Sequence, residues 1–404
     1  RFAKENRWGY FPSVSAGWVI SEEPWFKNNV VSYLKLRGSW GKLGNERIGS
    51  EFPYQAAISF GNSYMMNKDG SVTALQNAAQ VYYAFRDITW ETTTSTGVGV
   101  DANFFEGRLR FVGDYYHKKT EKMLLTLGFP SYAGFSAPQQ NAGDMFTKGW
   151  DIELGWSDRV GDFSYSISAN LSDYRSKMGY VGDKRTINGN HIIEEGSYYN
   201  EWFIYKTDGL IQEGETVEWD AKAAPGSIKI VDLNKDGKID DNDKTIICNS
   251  APALTLGFNN TFNWKQFDLS LFFYGAFGQQ RYNYTLQDFL KPSRLNFLDN
   301  ISTASREMWT STNKTGKYPN GFYTKWESSS DFWVENASFL RLKHLTLGYT
   351  LPKTAIKGLS YCRFYLDAQN LFCITNYSGV DPESDSFAAY PNQRTFSLGV
   401  DITF

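Results

Sequence analysis

The chain lacks the long apolar run that a membrane-spanning helix requires. Such a helix needs about 20 consecutive apolar residues, and no stretch of the 404 residues is of this kind. Cysteine and histidine are scarce, with three of each. Cys362 and Cys373 are an odd number of positions apart, so along one extended segment their side chains would point to opposite faces. These scarcities favour neither a disulfide framework nor a zinc site.

An excess of positive charge is also missing. Lys and Arg together number 41 against 44 Asp and Glu, which gives a formal net charge of −3 at pH 7. Proteins that bind nucleic acid normally carry a strongly basic surface, so we expect no nucleic-acid partner. The sequence also shows no nucleophile paired with a base, no phosphate loop and no catalytic pair of carboxylates. We therefore do not expect an enzyme.

What the chain does contain is a strict alternation of apolar and polar residues, clearest in its last eleven residues, Arg394–Phe404. Phe396, Leu398, Val400, Ile402 and Phe404 alternate with Thr395, Ser397, Gly399, Asp401 and Thr403. A period of two indicates a β-strand with one apolar and one polar face. A tilted strand of about 9–11 residues is long enough to cross a bilayer. The aromatic content of 17% suits a barrel with aromatic girdles.

Ten earlier segments repeat this pattern, so the sequence predicts an all-β protein of about eleven antiparallel strands. The predicted strands are Tyr10–Ile20, Val31–Gly41, Thr93–Phe105, Arg108–Lys119, Trp150–Ser157, Phe163–Leu171, Leu254–Phe262, Phe267–Tyr274, Asn336–Leu351, Cys362–Gln369 and Arg394–Phe404. In the ninth segment the apolar parity changes near Lys343 and His344. One extra residue, a β-bulge, would explain that change.

The connections alternate between short and long, which predicts a transmembrane β-barrel of an outer membrane. Links after the odd-numbered strands are short, and links after the even-numbered strands are long, the longest covering residues 173–251. Outer-membrane barrels have short periplasmic turns and long extracellular loops in this alternation. The apolar face would then contact outer-membrane lipid, and the polar face would line a wet interior.

Two features test this prediction against a soluble β-sandwich. Sandwich strands usually have about 5–6 residues, whereas these segments are longer, and a sandwich does not require the alternation of loop lengths.

The count of eleven is odd, while bacterial single-chain barrels have an even number of strands. An unpaired sheet edge in lipid is costly, so we expect further strands from a longer protein, with residues 1–404 as its carboxyl-terminal barrel part.

Several stretches resemble the SusC-like, TonB-dependent outer-membrane transporters of Bacteroidetes. They are Arg7–Ser13, Ser15–Trp18, Leu34–Gly41, Asp232–Asp243, Asn336–Lys343, Leu347–Pro352 and Ala368–Leu371. The resemblance implies a 22-stranded barrel with a plug domain, of which this chain would supply about eleven carboxyl-terminal strands. It also implies active import of glycan oligosaccharides, or of peptides in some members. A SusD-like surface lipoprotein and the TonB–ExbB–ExbD motor are the implied partners. The plug and Ton box have no counterpart here.

One chemical motif stands out, in the longest predicted loop. Asp232–Asp243 matches the template of a calcium-binding loop, with Gly237 at the position of the sharp turn. The predicted ligands are Asp232, Asn234, Asp236, the Lys238 carbonyl, Asp240 and Asp243. Position twelve is Asp rather than Glu, and no helices flank the loop. The alternative is an ordinary acidic turn. We expect a structural calcium ion, with Asp232, Asn234, Asp236 and Asp243 converging on one point.

The cargo cannot be read from the sequence. Four aromatic residues of the longest loop are candidates for stacking on sugars: Tyr198, Tyr199, Trp202 and Tyr205. Loop packing is an equally good explanation for them. Two other functions stay open beside active import, namely a passive porin and a surface adhesin or glycan-binding barrel. A plug and Ton box would distinguish an importer from a porin, and a neighbouring SusD-like gene would distinguish it from an adhesin.

Overall fold

A computed structural model describes most of the chain. The described residues are 2–47, 52, 54–56, 58–80, 84–126, 132, 139–182, 185–220, 223–291, 300, 302–320, 329–352, 358–384 and 390–404. The first strands are β1 (Ser13–Val19), β2 (Val31–Asn45), β3 (Ile58–Met66), β4 (Val72–Gln80), β5 (Glu91–Phe104), β6 (Leu109–Glu121), β7 (Leu124–Thr126), β8 (Gln139–Asn141), β9 (Met145–Val160), β10 (Phe163–Met178), β11 (Thr186–Asn188) and β12 (His191–Ile193). The others are β13 (Glu201–Tyr205), β14 (Thr207–Leu210), β15 (Ile228–Ile230), β16 (Lys244–Asn249), β17 (Leu254–Trp264), β18 (Phe267–Phe277), β19 (Gln280–Tyr282), β20 (Val334–Asn336), β21 (Phe339–Thr350), β22 (Tyr361–Thr375) and β23 (Thr395–Thr403).

Within the described residues, helices are few and short. The α-helix α1 spans Tyr284–Phe289, and 3-10 helices span Lys4–Asn6, Ile20–Glu22, Asp241–Asp243, Thr303–Glu307 and Asp331–Trp333. In the described part of the chain, no helix combines the length and the apolar character needed to cross a membrane.

Eleven strands form one antiparallel sheet, in the number and order that the sequence predicts. The order is β1-β2-β5-β6-β9-β10-β17-β18-β21-β22-β23. Each strand of this sheet therefore lies beside the sheet strand that precedes it in the chain. Most of these strands extend beyond the predicted bounds, β10 for example to Met178. The short connections all lie at one end of the sheet, here called the short-turn end, and the long ones at the other, the long-loop end.

The apolar face of the sheet is exposed, which contradicts the sandwich alternative. In β23, Leu398 is 86% exposed, Val400 48% and Ile402 47%. In a sandwich these side chains would be buried between two sheets. Aromatic rings of this face contact one another near the short-turn end, in the pairs Phe105–Trp156, Phe163–Phe262 and Phe267–Tyr349. Such a row of rings is typical of a membrane interface.

The predicted bulge at Lys343 is confirmed. Phe272 of β18 pairs with His344, but the next residue, Phe273, pairs with Leu342. Lys343 is thus the extra residue of β21. Because the bulge shifts the alternation, Leu342 lies on the same apolar face as Leu345.

The predicted loops contain more structure than the sequence indicates. The segment after β2 holds the β3–β4 hairpin, and the segment predicted as the longest loop holds the four-stranded sheet β11-β12-β13-β16 and the β14–β15 hairpin. Part of the segment between β18 and β21 packs onto these strands through one apolar core. The core residues are Trp202, Ile204, Ile228, Ile230, Tyr282, Leu290, Met308, Tyr318 and Trp333. We call the described residues between Thr186 and Asn249 and between Gln280 and Asn336 the lobe.

Candidate functional site

The polar face of the sheet carries the first candidate site, a cavity of about 580 Å³. It extends over five adjacent strands, from β1 to β9, so the polar face is concave there. Its charged and aromatic lining consists of Lys35, Arg37, Asp114, Tyr115, Tyr116, Lys118 and Asp151. Charges of both signs beside hydroxyl groups suit contact with water and with polar cargo, in contrast to the apolar opposite face.

The side chain of Arg37 extends across the neighbouring strand, above a glycine, and reaches the second strand away. Arg37 of β2 donates two hydrogen bonds of 2.9 Å to Asp101 of β5. Its Nη2 also lies 3.0 Å from the Asp114 carboxylate of β6. A Cβ atom at Gly99, between them, would lie only 2.9 Å from the Arg37 guanidinium. The absence of a side chain at Gly99 therefore allows the guanidinium to lie across β5.

The same arrangement recurs at the other side of the sheet. Arg363 of β22 donates from Nε to Asp268 of β18 at 2.9 Å and pairs again through Nη2. Gly348 of β21 lies beneath this ion pair, and a Cβ there would lie 2.5 Å from the Arg363 Nε and overlap the Asp268 carboxylate. The wall thus contains this arrangement twice. In each case an arginine and a carboxylate on two strands form an ion pair that passes over a glycine of the strand between them.

Replacing Gly348 by alanine should destabilise the protein by about 1–3 kcal/mol, because the added methyl forces the ion pair apart. Gly257 provides a matched control on the same face, since a Cβ there would make an ordinary 3.6 Å contact with Phe272. Gly257→Ala should change the free energy of unfolding by no more than about 0.5 kcal/mol. Denaturant unfolding of the full-length protein in lipid vesicles measures both. Equal losses in the two variants would contradict the steric explanation.

The predicted calcium loop is closed by its own hydrogen bonds. The two carboxylate oxygens of Asp232 accept from the Lys235 and Gly237 amides at 2.6 and 2.8 Å. The buried Asp243 carboxylate accepts from the amides of Leu233 and Asp240, both at 2.9 Å. These bonds bring the first and last positions of the loop together. Positive φ angles of 60° at Lys235 and 80° at Gly237 form the sharp turn.

The other predicted ligands also accept hydrogen bonds within the turn. Asn234 accepts from the Asp236 amide at 3.0 Å, Asp236 accepts from the Lys238 amide at 2.9 Å, and Asp240 accepts from the Asn242 amide at 2.8 Å. Among the residues described, no three Asp, Glu, His or Cys side chains are grouped as a metal ion would require. Calcium binding stays a prediction.

The four aromatic candidates have different environments. Tyr198 and Tyr199 are 39% and 47% exposed, and they stay candidates for cargo contact. Trp202 is 6% exposed, and its ring lies 4.1 Å from His191 and 5.8 Å from Tyr282. It is therefore a core residue of the lobe, and a sugar reaches its ring only if the lobe repacks. Tyr205 is partly buried beside the acidic loop, with the Lys244 Nζ 5.3 Å from its ring.

A buried ionic cluster escaped the sequence analysis. Arg341 of β21 and Asp381, which lie far apart in sequence, are 5% and 4% exposed and form an ion pair of 2.7 Å. Glu383 binds both Arg341 and Lys343. In the sequence, this cluster is indicated only by Arg341 and Lys343, two basic residues that alternate with leucines on the same strand. Burial raises the pKa of the Cys248 thiol to about 11, which disfavours the nucleophilic thiolate.

Comparisons with known proteins identify relatives over the whole chain. No family model matches. TonB-dependent receptor P3 of Formosa agariphila is 30% identical over 437 aligned residues, which cover 100% of this chain and 42% of the receptor. TonB-dependent receptor SusC of Bacteroides thetaiotaomicron is 31% identical over 432 residues, which cover 100% of this chain and 41% of SusC. The chain therefore spans less than half the length of these relatives.

Solved structures agree with the sequence relatives. The RagAB peptide transporter superposes with a TM-score of 0.84 at 26% identity, over 100% of this chain and 44% of the matched chain. The RagAB peptide importer in its open-open state gives a TM-score of 0.82. The eleven-stranded sheet of this chain thus has the shape of part of a barrel wall.

Proposed function

Since the chain is a homologue of the SusC-like TonB-dependent receptors and corresponds to their carboxyl-terminal half, we propose that the whole protein is an active importer of the outer membrane. The observation that carries the proposal is the match to RagAB over the whole chain, with an exposed apolar face and a concave polar face. The apolar face contacts lipid, and the polar face lines the passage. The long-loop end is then extracellular, and residues 173–251 belong to that surface.

The partners follow from the same proposal. A SusD-like surface lipoprotein covers the extracellular end, and TonB with ExbB–ExbD supplies energy through parts of the protein outside this chain. Glycan oligosaccharides are the proposed cargo, with Tyr198 and Tyr199 as exposed rings that can stack on sugars. Peptides are the second candidate, because RagAB is a peptide transporter. No catalytic step belongs to this function.

Uptake by cells tests the proposal and separates its alternatives. Cells that carry the full-length protein should accumulate labelled oligosaccharide, and cells that lack either the protein or TonB should not. Uptake that persists without TonB would favour a passive porin. Surface binding without uptake would favour an adhesin. Accumulation of labelled peptide in place of oligosaccharide would support active import and would identify peptides, rather than oligosaccharides, as the cargo.

We also propose that calcium is held in the acidic loop as a structural ion. Asp232, Asn234, Asp236, the Lys238 carbonyl, Asp240 and Asp243 provide oxygen ligands, which calcium prefers. Four of these residues carry negative charge within one short turn, and a cation among them would relieve their mutual repulsion. The hydrogen bonds of Asp232 and Asp243 already hold the two ends of the loop together. The ion would keep the loop closed.

Removal of calcium should increase protease cleavage within residues 226–249 about tenfold in the full-length protein, because the ion stabilises only the closed loop. Asp236→Ala should give the same cleavage without a chelator. Asp241→Ala is the matched control, since Asp241 pairs with Lys244 and is not a predicted ligand. That variant should keep its protection by calcium. If wild-type cleavage is the same with and without calcium, the loop is only an acidic turn.

A further inference from the structure

A second cavity lies in the lobe, beside the acidic loop, and has a volume of about 380 Å³. We call it the Trp219 pocket. Its lining includes Asp208, Val217, Trp219, Lys229, Asp232 and Lys235. Pockets for small ligands typically have volumes of about 300–1,000 Å³, so the size of this cavity suits a small ligand.

The strand β15 orients the central positive charge of the pocket. Ile228 and Ile230 are both 2% exposed and belong to the lobe core, so the alternation of the strand turns Lys229, between them, outward. The Lys229 Nζ lies 3.3 Å from the Asp208 carboxylate and 3.6 Å from that of Glu215. The Asp208 side chain is 72% exposed, so its carboxylate is free to accept hydrogen bonds from a ligand.

Trp219 adds a flat apolar surface to these charges. It is partly buried and packs against the lobe core, and it also lines the pocket. Val217 places a second apolar side chain in the same lining. Because the core holds the indole in place, a ligand that stacks on it removes little further side-chain freedom from Trp219.

The charges around the pocket nearly balance. Asp208, Glu218 and Asp232 supply three carboxylates, and Lys229 and Lys235 supply two ammonium groups. Net charge therefore favours neither a strongly acidic nor a strongly basic ligand. It suits an uncharged ligand rich in hydroxyl groups, because a hydroxyl donates to a carboxylate and accepts from an ammonium group.

A sugar ring has both of the properties that this lining requires. The faces of a pyranose ring carry C–H groups, which pack on an aromatic ring, and its rim carries hydroxyl groups, which need polar partners. An extended peptide is instead recognised mainly by backbone hydrogen bonds along a strand edge. The polar groups named here are side chains grouped around one indole ring, which favours the sugar.

We propose that the Trp219 pocket is a binding subsite for a sugar ring of an uncharged oligosaccharide, with Trp219 as the stacking surface and Asp208 and Lys229 as partners of the hydroxyl groups. The inference rests on the proposed function, in which the lobe is extracellular and the cargo is an oligosaccharide. It adds a site to Tyr198 and Tyr199, which do not line this pocket.

Calorimetric titration of the full-length protein in lipid nanodiscs, with calcium present throughout, tests the site. The probes are the linear hexasaccharides of glucose, mannose, galactose and xylose. At least one should bind, and Trp219→Ala and Asp208→Ala should each weaken its binding about tenfold, because a stacking surface or a hydrogen-bonded carboxylate is lost.

Glu213→Ala is the matched control for Asp208→Ala. Glu213 is an exposed carboxylate of the lobe that pairs with Lys314 and does not line the pocket, so its removal should leave the affinity equal to that of the unaltered protein. Because Asp208 is exposed, Asp208→Ala keeps the test available if the loss of Trp219 disturbs the lobe core.

Hydrogen exchange locates the bound sugar. With the bound hexasaccharide at ten times the dissociation constant of the unaltered protein, amide exchange in residues 208–219 and 229–235 should slow by up to about tenfold, against about twofold in Asp208→Ala. Equal affinities in all variants, or no binding of any of the four hexasaccharides, would overturn the inference. Slower exchange confined to Tyr198 and Tyr199, tighter binding of the hexamer of galacturonic acid, or protection of the pocket by a pool of hexapeptides would overturn it as well.

Cellular uptake distinguishes failure of this inference from failure of the proposed function. If cells import labelled oligosaccharide equally well with Trp219→Ala and with the unaltered protein, and the two purified proteins bind it equally, active import stands and the pocket is not a sugar site. If the purified protein binds the sugar through Trp219 and Asp208 but cells do not import it, the pocket stands and the proposal of active import fails.

Discussion

Replacing Leu398 by arginine should destabilise the barrel by about 2–4 kcal/mol, the cost of a charged side chain facing the middle of the bilayer. Leu398 lies near the centre of β23, pairs with Leu366 of β22 and is 86% exposed on the apolar face. Nothing in the described chain covers this face, so in the membrane it contacts lipid. Denaturant unfolding of the full-length protein in lipid vesicles measures the loss.

The neighbouring residue provides the control for Leu398. Ser397 has the opposite parity and pairs with Asp367 on the polar face. An arginine at Ser397 therefore projects into the wet interior, beside a carboxylate, and should change the free energy of unfolding by no more than about 0.5 kcal/mol. Similar losses from Leu398→Arg and Ser397→Arg would mean that the two faces do not differ in environment, and the assignment of lipid and lumen would fail.

The sequence predicts the wall well because the information for it is local. Each strand has its own period of two, and a transmembrane strand is long enough for that period to be unmistakable. Even the bulge at Lys343 is local, since a single extra residue changes the parity of the leucines around it. Loop lengths then order the strands, because consecutive antiparallel strands are neighbours.

The contacts on the polar face could not be predicted in the same way. Whether Arg37 reaches Asp114 depends on the register of three strands and on the absence of a side chain at Gly99, and a sequence gives neither. The Arg341–Asp381 pair depends in addition on how the segment after β22 folds back onto β21. Polar residues on one parity indicate only that a face is wet, not which of its charges pair.

The lobe was missed for a different reason. Its core is assembled from short strands and turns of two long segments, and none of these pieces is long enough to show a period. Trp202 illustrates the consequence. In the sequence it stands among three tyrosines and suits sugar stacking, but in the structure Tyr282 and the segment around Trp333 bury it. Its neighbours Tyr198 and Tyr199 stay exposed because that packing does not reach them.

Trp333→Ala should therefore destabilise the lobe by about 3–5 kcal/mol, the usual cost of removing a large aromatic side chain from a core. Trp333 is 1% exposed and belongs to the same core as Ile204 of β13 and Ile228 of β15. If these segments share one cooperative core, the substitution at residue 333 must also lower the stability of strands more than a hundred positions earlier in the chain.

Hydrogen exchange in the full-length protein measures whether the distant strands lose stability. In Trp333→Ala, amides of β13 and β16 should exchange much faster, whereas amides of β9 and β10 in the barrel wall should be unchanged. Tyr199→Ala is the control, because its ring is 47% exposed and its removal should cost no more than about 0.5 kcal/mol. Faster exchange confined to Asp331–Asn336 would show instead that the segments fold separately. Faster exchange in β13 would show that residues predicted as two independent loops act as one folded unit above the barrel.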